Sequence, residues 1–480
     1  MLRTISTAWI ALAVVCTGAA AQSPGVVSRV AFGSCADQDK PLPIFDAMAA
    51  AKPELLVLLG DTIYADLDKS RRVTTEVIQE KYDTLAKLPG WQKLKGQCPI
   101  LATWDDHDYG KNDGGAEWPL KVESQRLFHD FFGTPADSPR RKQEGVYHAA
   151  TFGPEGKRLQ VILLDMRYFR SPLESGRAAN IAPYGMIRKP YVPTEAPGAT
   201  FLGDAQWKWL EDQLRQPADV RLIGSSIQLL SDEHPFEKWG NIPAERARLF
   251  ALLRSTGANG VVVLSGDRHL GELSLSTADI GYPLYDLTAS GFNQGADQWR
   301  ACEPNRHRVA AMPFGDHFGL IDINWSAALT VSLQLRDTAG EIVLRQTVPV
   351  RLLKPDDTKK DDKPKDAPKL PAGVLTPAEA AKKVGETVKV QFEVKSGRAV
   401  NNGGRILLNS DKDFQAKTNF TVVVNAKAQT GKYDQAKYDT FKGKVVRATG
   451  KVSQYKDAPQ IQIDEEKMLE VVEEKKDEKK

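Results

Sequence analysis

The chain has almost no net charge: 65 Lys and Arg stand against 62 Asp and Glu, a balance of +3 over 480 residues. Such a balance gives no general attraction to nucleic acid. Long apolar runs are also missing, because no stretch beyond the N-terminus reaches the roughly 20 apolar residues that a membrane span needs. No convincing internal repeat is present. Cysteine is scarce, with four in the chain, too few for a disulfide scaffold. What the chain does have is length for two or three domains and 41% apolar residues, enough for a sizeable core.

The N-terminus reads as an export signal. Arg3 supplies a positive start, residues 9–15 are almost all apolar, and Ala19-Ala20-Ala21 offers a small-residue cleavage site before Gln22. Cys16 invites comparison with a lipoprotein signal, but bulky Val15 precedes it, so plain cleavage after residue 21 is expected, with a periplasmic or extracellular destination. Removing residues 1–21 leaves Cys35, Cys98 and Cys302. Three cysteines cannot all pair within one molecule, so at least one is free, intermolecular or a metal ligand.

Residues 22–353 read as an α/β domain. Apolar runs at 55–59, 99–103, 159–164, 221–225 and 261–265 alternate with amphipathic helical stretches such as 204–216 and 244–255. After about residue 280 the helical signals fade, and residues 330–335 and 341–352 alternate like antiparallel strands. Residues 354–371 are dominated by Lys, Asp and Pro and form a solvated linker. Beyond it, residues 375–384 look helical. Runs at 388–395, 405–408, 418–424, 443–452 and 459–464 look like five short strands, the signature of a small β-barrel over residues 372–472. Residues 473–480 are a charged tail.

Chemistry gathers where the apolar runs stop. Four clusters stand out: Gly33-Ser34-Cys35-Ala36-Asp37, Gly60-Asp61-Thr62-Ile63-Tyr64-Ala65-Asp66, Trp104-Asp105-Asp106-His107-Asp108-Tyr109-Gly110, and Ser265-Gly266-Asp267-Arg268-His269. In open α/β folds ligands collect at the carboxyl ends of strands. Carboxylates crowded there repel one another and call for compensating positive charge, which two multivalent ions would supply. Asp61, directly after a strand and a glycine, is placed to bridge two ions. Such a pair activates a water and clamps the attacking and leaving oxygens of a displacement at phosphorus. His107 is the candidate proton donor to the leaving oxygen, with Asp108 beside it to orient the imidazole.

In this order the clusters resemble the metallophosphoesterase plan, and specifically its PhoD-like (alkaline phosphatase D) branch. The matching blocks are G-S-C, G-D-x-x-Y-x-D, D-D-H-D and G-D-x-H. Supporting segments are Leu164-Asp165-Met166-Arg167-Tyr168-Phe169-Arg170 and Leu202-Gly203-Asp204-Ala205-Gln206-Trp207-Lys208-Trp209-Leu210. The resemblance covers about residues 26–352. It implies a metallophosphoesterase-type β-sandwich flanked by helices, and a phosphomonoesterase or phosphodiesterase acting on small phosphate esters. It also implies that Cys35, Asp61, Tyr64 and His269 hold one metal, and that Asp61, Asp106 and Asp267 hold the other. Thiolate and phenolate ligands favour Fe³⁺, and the oxygen-rich partner site suits Ca²⁺, Mg²⁺ or Mn²⁺, with Zn²⁺ a further option. Arg167 is expected to contact a phosphate oxygen, and Gln228 to orient the second site. With Cys35 a ligand, Cys98 and Cys302 become candidate disulfide partners.

Blander readings apply elsewhere. His129 and His148 are structural histidines, Trp207 and Trp209 pack a helix onto the core, and Asp66 and Asp105 support ligands rather than bind metal. The C-terminal region resembles a single OB-fold, for which a nucleic-acid or envelope ligand is one expectation and a structural role the other. A phospholipase D-like diesterase and a non-catalytic binding module are the alternatives to the phosphatase reading.

Overall fold

The computed structural model describes residues 25–295, 303–312, 314–355, 370–371, 373–400, 404–411, 419–433, 438–455 and 458–472. The signal segment 1–21, Cys302, most of the linker and the tail 473–480 lie outside the described residues. The chain divides into two compact units, Met1–Asp357 and Thr358–Lys480.

In the first unit the strands are β1 (Arg29–Gly33), β2 (Leu55–Leu59), β3 (Ile100–Thr103), β4 (His148–Phe152), β5 (Leu159–Leu163), β6 (Ala179–Ile181), β7 (Gly185–Ile187), β8 (Val220–Gly224), β9 (Val261–Ser265), β10 (Gly271–Ser276), β11 (Leu284–Ala289), β12 (Arg308–Ala311), β13 (His317–Asn324), β14 (Thr330–Asp337) and β15 (Ile342–Pro349). One sheet has the order β15-β14-β13-β1-β2-β3 and another the order β12-β10-β11-β9-β8-β5-β4, while β6 and β7 form a separate hairpin. Strands β1, β2 and β3 run parallel. So do β5, β8, β9 and β11. From β10 onwards most neighbouring strands pair antiparallel, through β10–β11, β10–β12, β13–β14 and β14–β15, which accounts for the loss of helical signal after residue 280.

The period of two explains the packing. In β2 every residue is buried. Leu55, Val57 and Leu59 join an apolar cluster that also contains Val161, Leu163, Val262 and Leu264 of the second sheet. Leu56 and Leu58 join a different cluster with helices α1 (Ile44–Ala50), α2 (Thr75–Lys87), α3 (Pro89–Gln97) and α5 (Lys121–Phe131), α4 being the short Asp106–Tyr109 turn. Helices α6 (Gly203–Leu214) and α7 (Pro243–Thr256) cover the second sheet through Trp207, Leu210, Leu249 and Leu253. Trp207 donates its indole N–H to Glu245 at 2.8 Å, so it is a core residue.

Parallel strands bring their carboxyl ends to one side of each sheet. Gly60 is the tightest point there. Its φ is +100°, and a Cβ on it would sit 2.4 Å from both the backbone N and the Cβ of Asp105. Only glycine lets the end of β2 approach the end of β3 this closely, and that contact sets Asp61 beside the Asp105–Asp108 segment.

The second unit contains strands Val374–Leu375, Thr387–Glu393, Ser396–Val400, Arg405–Asn409, Thr421–Asn425, Val445–Tyr455, Ala458–Ile463 and Leu469–Val472. All five expected strands are present, with three more. The long strand Val445–Tyr455 pairs with Thr387–Glu393 through its first part and with Ala458–Ile463 through its end. The expected helix at 375–384 shortens to Pro377–Ala381, started by a capping box between Thr376 and Glu379. Phe392, Phe420, Tyr433 and Phe441 are buried in the core of this unit.

Candidate metal centre

The strand ends deliver the expected side chains to one place. Ligand atoms of Cys35, Asp61 and His269 lie within 4.8 Å of one another; so do those of Asp61, Asp106 and His107, and those of Asp105, Asp106 and Asp267. Tyr64 joins the first group, its hydroxyl 3.1 Å from His269 Nε2 and 3.4 Å from Asp61 Oδ2. Asp61 and Asp106 each belong to more than one group, as a bridged pair of ions requires.

The backbone is bent to make this arrangement. Cys35, Asp61, Asp267 and His269 have φ of +67°, +47°, +67° and +55°. For non-glycine residues this region costs roughly 1–3 kcal/mol each, and it persists only where the surroundings impose it. Four of the six metal candidates share this strained backbone region, which is common at functional sites.

The donors fit cations. Asp106 Oδ1 and Asp105 Oδ2 are fully buried and meet no hydrogen-bond donor among the described residues, which is costly for a carboxylate oxygen unless a cation approaches it. Burial pushes the Cys35 thiol well above its ordinary value, and Asp61 adds to the effect. Burial likewise raises Asp61, against the pull of His107 and with Asp106 adding. Asp267 is pushed up to about 7, by burial first, with Arg268 opposing. Burial works against the charged form of His107, yet Asp106, Asp61 and Asp66 carry it up to about 11. The metal-free cluster therefore holds protons that ions must displace.

This protonation has a pH signature. A carboxyl raised from 3.8 to about 7 on folding, as in Asp267, contributes stability that is present below 3.8 and lost as pH rises through about 7. Metal removes that penalty. Thermal melts with and without chelator are expected to differ more at pH 8 than at pH 5; an equal difference would contradict this protonation scheme.

Two expected roles are corrected. Asp108 does not orient His107. Its carboxylate accepts from the backbone N–H groups of Thr62 at 2.9 Å, Ile63 at 3.3 Å and Asp105 at 3.1 Å. Adjacent residues on a helical turn do not face each other. The partner of His107 Nδ1 is Asp66, at 2.5 Å, and Asp66 is itself held by the Asn112 N–H at 2.6 Å. Arg167 is fully buried and engaged by Asp105 and by Glu237, the latter at 2.6 Å, so its fork is spent on protein carboxylates. The Gln228 amide nitrogen donates to Glu272 at 2.6 Å and to Thr288 at 2.9 Å, and its buried Oε1 meets no partner among the described residues. Cys98 is a free, buried thiol.

Asp113 and Glu237 were not anticipated. They form a fourth close group with Asp106. Asp113 has φ +52°, its N–H donates to Asp106 Oδ2 at 2.7 Å, and its carboxylate accepts from the Tyr191 hydroxyl at 2.9 Å. Glu237 stands in the loop after β8, where the strand-end argument could have found it; nothing in the sequence distinguishes Asp113.

Among known proteins, the PhoD-like phosphatase family matches residues 30–280. Alkaline phosphatase D of Bacillus subtilis (strain 168) is 25% identical over 275 residues, 50% of this chain and 45% of that protein, so the chain spans about half the length of this relative. A solved structure of PhoD superposes with a TM-score of 0.53 at 18% identity, covering 68% of this chain and 70% of the other, a likeness of fold. GAP50, the anchor in the inner membrane complex of Plasmodium, gives a TM-score of 0.43 at 12% identity over 68% of this chain and 89% of its own. With more than half of its length matched by the family, and with the strand-end acids assembled as described, the chain belongs to the PhoD-like phosphatases.

Proposed function

We propose that the chain is an exported, metal-dependent phosphoric ester hydrolase, acting on small phosphomonoesters, phosphodiesters or both. The observation that carries this reading is the sharing of Asp61 and Asp106 between neighbouring ligand groups at the strand ends. Cys35, Asp61, Tyr64 and His269 would hold one ion, for which the thiolate and phenolate favour Fe³⁺. Asp61, Asp106 and Asp267 would hold the other, an oxygen-rich set suited to Ca²⁺, with Mg²⁺, Mn²⁺ or Zn²⁺ as substitutes. Bound there, the ions supply Lewis acidity and a template for in-line displacement at phosphorus.

The protein's own groups do the rest. Asp66 holds His107 at Nδ1, which leaves Nε2 as the atom that passes a proton to the leaving oxygen. The Tyr64 ring lies against the imidazole, with centroids 4.2 Å apart, and restricts its swing. Asp108 fixes the turn that carries Asp106 and His107 by taking backbone N–H groups, and Arg167 balances the buried acids Asp105 and Glu237.

The finer fold reading belongs to the same proposal: a two-sheet sandwich flanked by helices, and an OB-fold-like second unit over residues 372–472. Phe392, Phe420, Tyr433 and Phe441 are buried in that unit's core and Tyr455 is exposed; a structural role is the reading proposed for it.

The test is hydrolysis by the purified protein, with iron and calcium supplied, of a matched monoester and diester such as propyl phosphate and methyl propyl phosphate. Release from at least one is expected, and the faster ester sets the substrate class. Release only from phospholipid diesters would favour the phospholipase D-like alternative, and no release from any ester would overturn the hydrolase reading in favour of a binding module.

A further inference from the structure

A group of buried cationic and donor side chains beside the metal centre has no part in the chemistry above. His234 is 1% exposed and Lys238 is 3% exposed. Both sit in the loop after β8, and both are organised by Phe236. The Phe236 N–H donates to His234 Nδ1 at 3.3 Å. The Lys238 ammonium donates to the Phe236 carbonyl at 3.0 Å. The Arg268 guanidinium lies over the Phe236 ring, 4.1 Å from its centroid.

His234 and Lys238 keep donors without an acceptor among the described residues. With Nδ1 accepting, the imidazole of His234 carries its proton on Nε2, and that buried atom meets no partner among the described residues. Lys238 has three N–H bonds, and the Phe236 carbonyl is its one acceptor among the described residues. The neighbouring acids pair with arginines: Glu303 with Arg268 at 2.5 Å, Glu237 with Arg167 and Arg170, and Asp232 through Oδ2 with Arg246 and Arg306, its Oδ1 meeting no donor among the described residues. Burial and the cations Arg268, Lys238 and Arg308 hold His234 well below its ordinary range, so it is a neutral N–H donor. Burial and Arg268 bring Lys238 down to about 8, with Asp232 and Glu237 opposing. Buried donors left over in this way call for an anion.

The chain ties this group to the metal centre twice. Arg268 stands between the candidate ligands Asp267 and His269, and Glu237, between Phe236 and Lys238, reaches the group of Asp106 and Asp113. Tyr184, from the β6–β7 hairpin, meets Phe236 edge to face at 5.2 Å.

We propose that His234, Lys238 and Arg268, gathered on Phe236, form a second-anion subsite beside the metal centre, which takes the oxygens of a phosphate or carboxylate group. The inference rests on the hydrolase reading and narrows it: the favoured esters carry a second anionic group. The same oxyanion could also arrive as free phosphate.

The test compares propyl phosphate with propane-1,3-diyl bisphosphate, which share an alkyl leaving group. The wild type is expected to favour the bisphosphate in kcat/KM. Lys238→Met is expected to reduce that preference by roughly tenfold, mostly through KM, and His234→Phe to reduce it in the same direction. Lys238→Arg should restore most of it, and Lys208→Met, on the exposed face of α6, should leave it at the wild-type value. Calorimetric titration with pyrophosphate runs alongside on each variant that melts cooperatively. A reduced preference supports a substrate subsite. An unmoved preference with pyrophosphate binding about tenfold weaker in Lys238→Met supports a site for free phosphate. If neither changes in Lys238→Met or His234→Phe, the subsite is overturned. Failure of the wild type to cleave either ester counts against the hydrolase reading, and the titration still decides the subsite.

Discussion

Asp61→Asn is expected to lower turnover by about a thousandfold or more and to leave the fold intact. The side chain keeps its size and can still accept from the His107 N–H, now at 3.3 Å. What it loses is the charge that serves two ligand groups at once. Both ions should therefore bind weakly, which separates Asp61 from a ligand of one ion only. The stability effect has a definite sign. Burial, with the carboxylates of Asp106, Asp105 and Asp108, makes the charged form of Asp61 costly, and His107 offsets only part of that. In the presence of chelator the variant should melt at or above the wild-type temperature; in the presence of metal it should melt below. Near-wild-type turnover in Asp61→Asn would remove the bridging role.

Arg167→Ala is expected to destabilise the protein by about 3–5 kcal/mol, the range for breaking a buried ion pair by removing one partner. Arg167 is fully buried, and so are Asp105 and Glu237, the carboxylates it joins. Its removal leaves two buried anions facing the already acidic strand ends. Arg167→Lys should rescue little, because a single ammonium cannot replace a fork that serves two partners. Urea denaturation of the metal-loaded protein reads the effect. If Arg167 instead contacted a substrate phosphate, Arg167→Ala would raise KM and leave the denaturation midpoint in place, and that outcome would refute the ion-pair assignment.

The contrast between these residues shows how far a sequence can carry a site. Cys35, Asp61, Asp106, Asp267 and His269 were legible because each comes just after an apolar run, and parallel strands deliver the residues at their carboxyl ends to one side of a sheet. Tyr64 was legible through its block, three residues after Asp61. The partner of His107 was not. Asp108 is its neighbour in the chain, but helical geometry turns that side chain towards the Thr62 and Ile63 N–H groups, and Asp66 arrives from the end of another strand. Arg167 failed in the same way: it comes after its strand as expected, but the buried carboxylates of Asp105 and Glu237 already claim its guanidinium. Glu237 and Asp113 lie in loops whose path the sequence does not dictate. In the second unit the alternating strands were readable, and the helix was cut short because residues 382–386 turn into the next strand rather than continue past the capping box.

The proposed two-ion centre is tested most directly by counting metal and turnover on the same sample. The purified protein is stripped with chelator, shown to be inactive against the preferred ester, and reloaded stepwise with Fe³⁺ and Ca²⁺ while bound metal is measured by elemental analysis. The account predicts that activity returns with occupancy and reaches its plateau at about two ions per chain. Full turnover by protein that holds no metal would contradict it.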